Sequence, residues 1–301
     1  MTNSTSKNLG NILVTGGAGF IGTNLIKHLI ENYKFTKIIS IDNYYTGSKK
    51  NHFKHKKVIY INFDTKNILR NNNKILKNFK PKYIFHFAEF SRIVPSFKYI
   101  EDCFSFNRQG TLNIILYAIK KKSKLIYSAS SSRLGKEDNE SLSPYSWSKS
   151  KNIELIKNFN KWFNLNFTIV YFFNVYGPSQ IKKHYMSAVM GIFEDQYEKN
   201  HDLTVVKPGT QKRDFTHVND IINGTILAAI KGGKKEYQLG SGKYYRIIDV
   251  AKMFKRKIKL VKERPGERFS ALSNYNLAKK ELGYTPKYNL EEYIKKFISK
   301  K

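Results

Sequence analysis

Ser130, Tyr145 and Lys149 are the residues of this chain whose types and spacing could do chemistry. Tyr145 and Lys149 are four apart, so a helix would place both side chains on one face, one turn apart. A free phenol titrates near pH ~10, too high for a base at neutral pH. A neighbouring ammonium favours the phenolate, and lowering the titration by about three pH units takes roughly 4 kcal/mol of differential interaction. Lys149 can supply part of that, and the positive ring of an oxidised nicotinamide cofactor another part; Lys149 can also bond the nicotinamide ribose, so Tyr145 and Lys149 count as cofactor-binding as well as catalytic residues. Ser130 ends an apolar run, at the edge where ligands bind in parallel sheets. Its hydroxyl is placed to hold a substrate oxygen beside Tyr145. The Tyr-x-x-x-Lys spacing alone also fits an ordinary surface helix; Pro144 before it and the serines between Ser128 and Ser132 favour the chemical reading.

A second signal lies far upstream. Gly16, Gly19 and Gly22, with Phe20 and Ile21 between the last two, follow the apolar run Ile12-Leu13-Val14. A tight turn, close backbone approach to a pyrophosphate and close helix-to-strand packing each require glycine. The helix start then offers N–H groups and a positive dipole end to phosphate. Asp42, with Asn43 beside it, ends the next predicted strand, where a carboxylate accepts from the adenosine ribose hydroxyls and repels a 2′-phosphate. That choice favours NAD over NADP. Asp64 has two readings, a contact to the adenine amine or the cap of the following segment.

These residues need a scaffold, and the pattern supplies one. Strands are predicted at Ile12 to Thr15, Lys37 to Ile41, Val58 to Phe63, Lys82 to Ala88, Lys124 to Ser130 and Phe167 to Phe172. Helical periodicity falls between them at Ile21 to Tyr33, Thr111 to Ile119 and Trp147 to Phe163. Such alternation predicts an α/β fold with a doubly wound parallel sheet. After Asn174 the pattern changes, with helices expected at Met186 to Lys199, Val218 to Ile230, Ile247 to Arg256, Asn274 to Leu282 and Leu290 to Ile298, and short strands at Leu203 to Val206 and Tyr237 to Leu239. The expected organisation is a dinucleotide-binding domain over 1–173, to which 214–239 returns, and a smaller C-terminal substrate-binding lobe over 174–301, interleaved with it.

Bulk properties narrow the class. The single cysteine, Cys103, excludes an internal disulfide and a cysteine metal cluster. No apolar run is long enough to span a bilayer, and the first residues lack a signal peptide pattern, so the expected location is the cytoplasm. The net charge of +31 is extreme. The lysines are scattered rather than gathered into one patch, which argues against a specific nucleic-acid site and fits a field that favours anionic small substrates.

Read in order, the stretches Val14 to Gly22, Ile41-Asp42-Asn43, Phe85-His86-Phe87-Ala88, Asn107 to Thr111, Tyr127 to Ser130, Pro144 to Lys149, Phe173 to Pro178, Arg213 to Val218 and Arg264 to Glu267 resemble the extended short-chain dehydrogenase/reductase family, in its nucleotide-sugar epimerase/dehydratase branch. The resemblance covers nearly the whole chain and is nearest to UDP-glucose 4-epimerase-like proteins. It implies a Rossmann-type sheet and tightly held NAD. It also implies that Tyr145 removes a proton from a sugar hydroxyl, at C4 in most of the family, while hydride leaves the same carbon and later returns to its other face. It assigns Ala88 and Asn107 to the cofactor, Asn174, Arg213 and Arg264 to the substrate diphosphate, and Glu267 to the nucleotide ribose as an acceptor. For the two arginines, a surface salt bridge is the alternative. His86 and His217 read as structural, and Tyr44, Tyr45 and Tyr185 as cleft or packing residues.

Departures from the family pattern matter for the reaction. Dehydratases of the branch carry Asp-Glu after the catalytic hydroxyl residue; Ser131 and Ser132 stand there and cannot act as acid and base for water loss. Glu89 replaces a small residue, Ser91 stands where a lysine is common with Arg92 next to it, and the loop from Gly135 to Tyr145 is short. The expectation is NAD-dependent epimerisation of a nucleotide-diphosphate sugar, with homodimers frequent among relatives. The alternatives are a nucleotide-sugar reductase or dehydrogenase that exchanges its cofactor, and a non-enzymatic NAD-binding regulator associated with RNA.

Overall fold

The structure is a computed structural model that describes residues 8–70, 72–134, 141–266 and 270–300. In the first half β1 (Asn11–Thr15), α1 (Phe20–Asn32), β2 (Lys37–Asp42), β3 (Val58–Asn62), α2 (Lys74–Asn78) and β4 (Tyr83–His86) follow in order. Then come α3 (Ile93–Lys98), α4 (Ile100–Phe104), α5 (Thr111–Lys121), β5 (Lys124–Ser130), α6 (Pro144–Phe163) and β6 (Phe167–Phe172). These strands, joined by Glu236–Leu239, form one seven-stranded sheet. Its order is Glu236–Leu239, β6, β5, β4, β1, β2, β3, with every pairing parallel.

The strands are apolar on both faces because both faces are covered. Ile12, Val14, Ile38, Phe85 and Ile126 face α1 and the helix Val218–Lys231. Their neighbours Leu13, Ile39, Ile84 and Leu125 face α5 and α6 on the other side. Truncating any of these fully buried side chains to alanine removes about 2–5 kcal/mol. A third core, around Phe193, Phe215, Phe254 and Ile294, sits in the C-terminal part. There, strand Leu203–Val206 pairs with Ile258–Val261, and Lys212–Arg213 pairs with Tyr245–Arg246 and Ser270–Ala271.

Chain order reverses between β1 and β4, and the crevice beyond the carboxyl ends of these strands is where a doubly wound sheet binds ligands. The glycine loop leaves β1 there, and Ala88 and Glu89 leave β4 there. Several local features differ from the sequence expectation, two of them beside the crevice. Helix α6 begins at Pro144 rather than Trp147, because Ser143 caps it by accepting from the N–H of Ser146 and proline suits the first helical turn. Between Ile93 and Gly110 the chain is helical in short pieces, ending in one wide π-turn over Ser105–Gly110. Pieces this short carry no periodic signal.

Candidate active site

Gly16 sits at φ +71°, and a Cβ there would lie 2.8 Å from the backbone N of Ala88 and C of Phe87. At Gly22 a Cβ would meet the Gly16 carbonyl oxygen at 2.2 Å. Glycine is therefore required for the loop to pack against the end of β4 and for α1 to rest on the loop. No side chain caps α1 at Gly19, and Phe20, Ile21 and Gly22 line the crevice, so the positive end of the helix opens onto it. That cradle fits a pyrophosphate.

Asp42 is buried, and burial raises its carboxyl titration above the ordinary range. Its Oδ2 accepts from the N–H of Ala18 at 2.9 Å and its Oδ1 from that of Tyr44 at 2.8 Å. The carboxylate expected to face a ribose thus also ties β2 to the glycine loop. Asn43 bridges to Asp64, donating to Oδ2 at 3.2 Å. Asp64 caps the turn Thr65–Asn67 through the N–H of Lys66, the second of its two readings. Asn107 is fully buried: its Oδ1 accepts from Phe90 N at 2.7 Å, and its amide donates to Phe90 O and to Ser148. It clamps the segment after β4 from beneath, and its amide is taken up by protein groups. Ala88 N donates to Thr15 Oγ1 at 3.2 Å.

The proposed acid/base residues meet in one cleft of about 770 Å³, which Ser130, Tyr145 and Lys149 line together with the glycine loop. Tyr145 lies in the first turn of α6, its backbone N–H donating to Ser96 Oγ at 3.2 Å. Its ring packs with Phe90, Cys103 and Met186. Among the described residues its phenol oxygen has no hydrogen-bond partner. Ser130 Oγ accepts from the N–H of Ser132 at 3.1 Å, which orients the hydroxyl and leaves its proton to donate.

Lys149, one turn along α6 and buried, donates to the Ser128 carbonyl at 2.6 Å and forms an ion pair with Glu89. By sequence, Glu89 stands out only as a replacement for a small residue. A buried carboxylate at the end of β4 requires a cation, and the Lys-bearing helix is the element across from it. Ser132 occupies a buried position on the cleft wall beside Ser131. His86 is held between Thr15 Oγ1 at 2.7 Å and Thr111 Oγ1 at 2.9 Å, and burial pushes its titration down to about 4. His217 caps the helix Val218–Lys231 and stacks on Tyr288, also lowered to about 4 by burial. Both are placed as structural groups.

The far wall comes from the C-terminal part. Asn174, at φ 28°, donates to the Asp214 carbonyl at 3.1 Å, and it lines the cleft with Arg213 and Arg264. Glu267 lies outside the described residues. Tyr185 reaches the cleft and donates to Tyr45, which in turn donates to Asp102; Tyr44 lies instead against His52. Arg92 lines the same cleft, with Nε donating to the Met186 carbonyl at 2.7 Å. Sequence reasoning missed Ser96, whose hydroxyl donates to Ile93 O while accepting from Tyr145; no local pattern marks it. Among the described residues no group of His, Cys, Asp and Glu could hold a metal ion, and no helix is long and apolar enough to cross a membrane.

Comparison with known proteins bears on the fold and the family. The model of the NAD dependent epimerase/dehydratase family matches residues 12–240. A putative UDP-glucose 4-epimerase from Methanocaldococcus jannaschii is 30% identical, over 96% of this chain and 97% of its own. UDP-glucuronic acid decarboxylase 3 from Arabidopsis thaliana is 27% identical, over 93% of this chain and 86% of its own. Among solved structures, UDP-glucose 4-epimerase from Thermotoga maritima, determined with UDP-glucose, superposes with a TM-score of 0.87 at 26% identity, covering 96% of this chain and 97% of that one.

Proposed function

The chain belongs to the NAD-dependent epimerase/dehydratase family, and from that premise we propose that it epimerises a nucleotide-diphosphate sugar at C4 through a 4-keto sugar. One observation carries the reading. The phenol of Tyr145, without a hydrogen-bond partner among the described residues, opens into a cleft that starts at the glycine cradle and ends at Arg213 and Arg264, while Ser131 and Ser132 fill the places where water loss would need an acid and a base.

The loop Gly16 to Gly22, with Asp42 and Asn43 at the adenosine end, would hold NAD, which when bound would supply a hydride acceptor that can later act as donor. The chain's own residues do the rest. Arg213 and Arg264 hold the diphosphate, as planar donors suited to phosphate oxygens, and Asn174 supports the same region. Ser130 donates to the sugar oxygen and keeps it beside Tyr145. Tyr145 takes the hydroxyl proton as the sugar is oxidised and returns it on reduction. The cleft leaves room for the keto sugar to present its other face. Because the hydride returns to the sugar, no net redox change results.

The test is incubation of purified protein with UDP-, GDP-, ADP- and dTDP-sugars, with products read by NMR. Interconversion of 4-epimers without accumulation of reduced cofactor is the expected result. Stoichiometric release of NADH in a single turnover would instead establish a dehydrogenase with cofactor exchange. Absence of turnover on every sugar, with salt-dependent RNA binding retained by Tyr145→Phe, would establish a binding protein.

A further inference from the structure

We propose that Glu89 is a positioning residue that fixes the Lys149 ammonium and cancels its charge, so that the positive charges left to act on Tyr145 are Arg92 and, once bound, the oxidised cofactor. The proposal rests on the placement of Tyr145 as the base given above. Its ground is a set of contacts around one carboxylate. Thr111 and Tyr127 donate to Glu89 Oε1 at 2.8 and 3.1 Å, and Asn152 donates to the same oxygen at 2.9 Å. Lys149 donates to Oε2. Every neighbour donates, the pattern that an acceptor-only carboxylate satisfies.

The donors themselves are held. Thr111 gives its hydroxyl proton to Glu89, so it accepts from Nε2–H of His86; Nδ1 of His86 then accepts from Thr15. This relay runs from β1 through β4 to α5 and fixes the carboxylate in place. Lys149 spends a second proton on Ser128 O and stands over the Tyr127 ring at 4.8 Å. Glu89 and Lys149 side chains are 2% and 5% exposed, so solvent screens neither. A cation and an anion in contact present almost no net field to a phenol one helical turn away.

Most of the other ionisable groups packed here are neutral. Burial lowers His86 to about 4 and raises Cys103 to about 11, and it raises Tyr127 and Tyr45 further still; all four are neutral at neutral pH. Asp102 is bonded to Tyr45, and Tyr99 flanks the same cluster. Arg92 is the cation that faces Tyr145, and it stays in place in every variant considered below.

The test uses cofactor-free protein and no sugar, so its outcome is independent of whether any nucleotide sugar is turned over. Near-ultraviolet tyrosinate absorbance is titrated for the parent, Glu89→Gln, Glu89→Asp and the double variant Glu89→Gln/Lys149→Met. Each is read as a difference from the same protein carrying Tyr145→Phe, which isolates one phenol. Glu89→Gln frees the lysine charge and moves the midpoint about one pH unit lower. Glu89→Asp, which keeps charge but changes shape, stays near the parent. The double variant, with both charges gone, returns to the parent value; replacing both members of a buried pair leaves no orphan charge, so this variant serves even if Glu89→Gln does not fold. An unmoved midpoint in folded Glu89→Gln overturns the proposal. So does a double variant that titrates about one pH unit above the parent, because Lys149 would then have been acting uncancelled.

Discussion

Asp42 Oδ2 accepts the backbone N–H of Ala18 at 2.9 Å, so the carboxylate that ends β2 also holds the glycine loop that follows β1. The same carboxylate sits where a Cβ on Gly47 would approach it within 3.0 Å, which leaves little slack around it. Cofactor choice and loop geometry are therefore joined in one residue.

Asp42→Ala is expected to weaken NAD binding at least tenfold, the scale of one lost charge-assisted hydrogen bond, and to narrow the preference for NAD over NADP. Calorimetric titration with both cofactors checks this. Unchanged affinity and preference would remove Asp42 from the adenosine site and leave it a loop tie.

Tyr145→Phe is expected to cut turnover by about a thousandfold, within the range for loss of a general base, with NAD affinity and melting temperature close to the parent. The ring remains in its packing with Phe90 and Met186, so the change isolates the hydroxyl. Undiminished turnover would refute the assigned base.

Ser143→Ala removes the cap of α6 and should cost about 1 kcal/mol in urea unfolding. Because Tyr145 lies in the first turn of that helix, kcat should fall more than KM rises. A stability loss without any change in kcat would show that Ser96 alone holds the start of the helix.

His86 and His217 are lowered to about 4 by burial. A histidine whose folded titration lies below its unfolded one adds stability above the unfolded value near 6.5, and that stability is lost as pH falls through the folded value. Each residue should cost the fold roughly 3 kcal/mol between pH 6.5 and 4. Chemical denaturation across this window, repeated on His86→Gln, should show a shallower pH slope in the variant; equal slopes would contradict the burial argument.

The sheet and its cofactor loop follow from residues taken in order along the chain. Apolar runs such as Ile12-Leu13-Val14, bounded by a glycine turn, read as strands covered on both faces, and glycine at 22 is forced where a side chain would strike the Gly16 carbonyl six residues away. Local rules of this kind act within a few residues, so they can be read from the chain alone. The spacing of Tyr145 and Lys149 was legible for the same reason. What surrounds them was decided by tertiary structure. Glu89 meets Lys149 across 60 positions of sequence, and Ser96 supports Tyr145 across 49, contacts that exist only because β4, α3 and α6 converge on one sheet edge. Sequence order carries periodicity, whereas charge balance around a buried ammonium depends on which distant groups the packed fold brings into hydrogen-bond range.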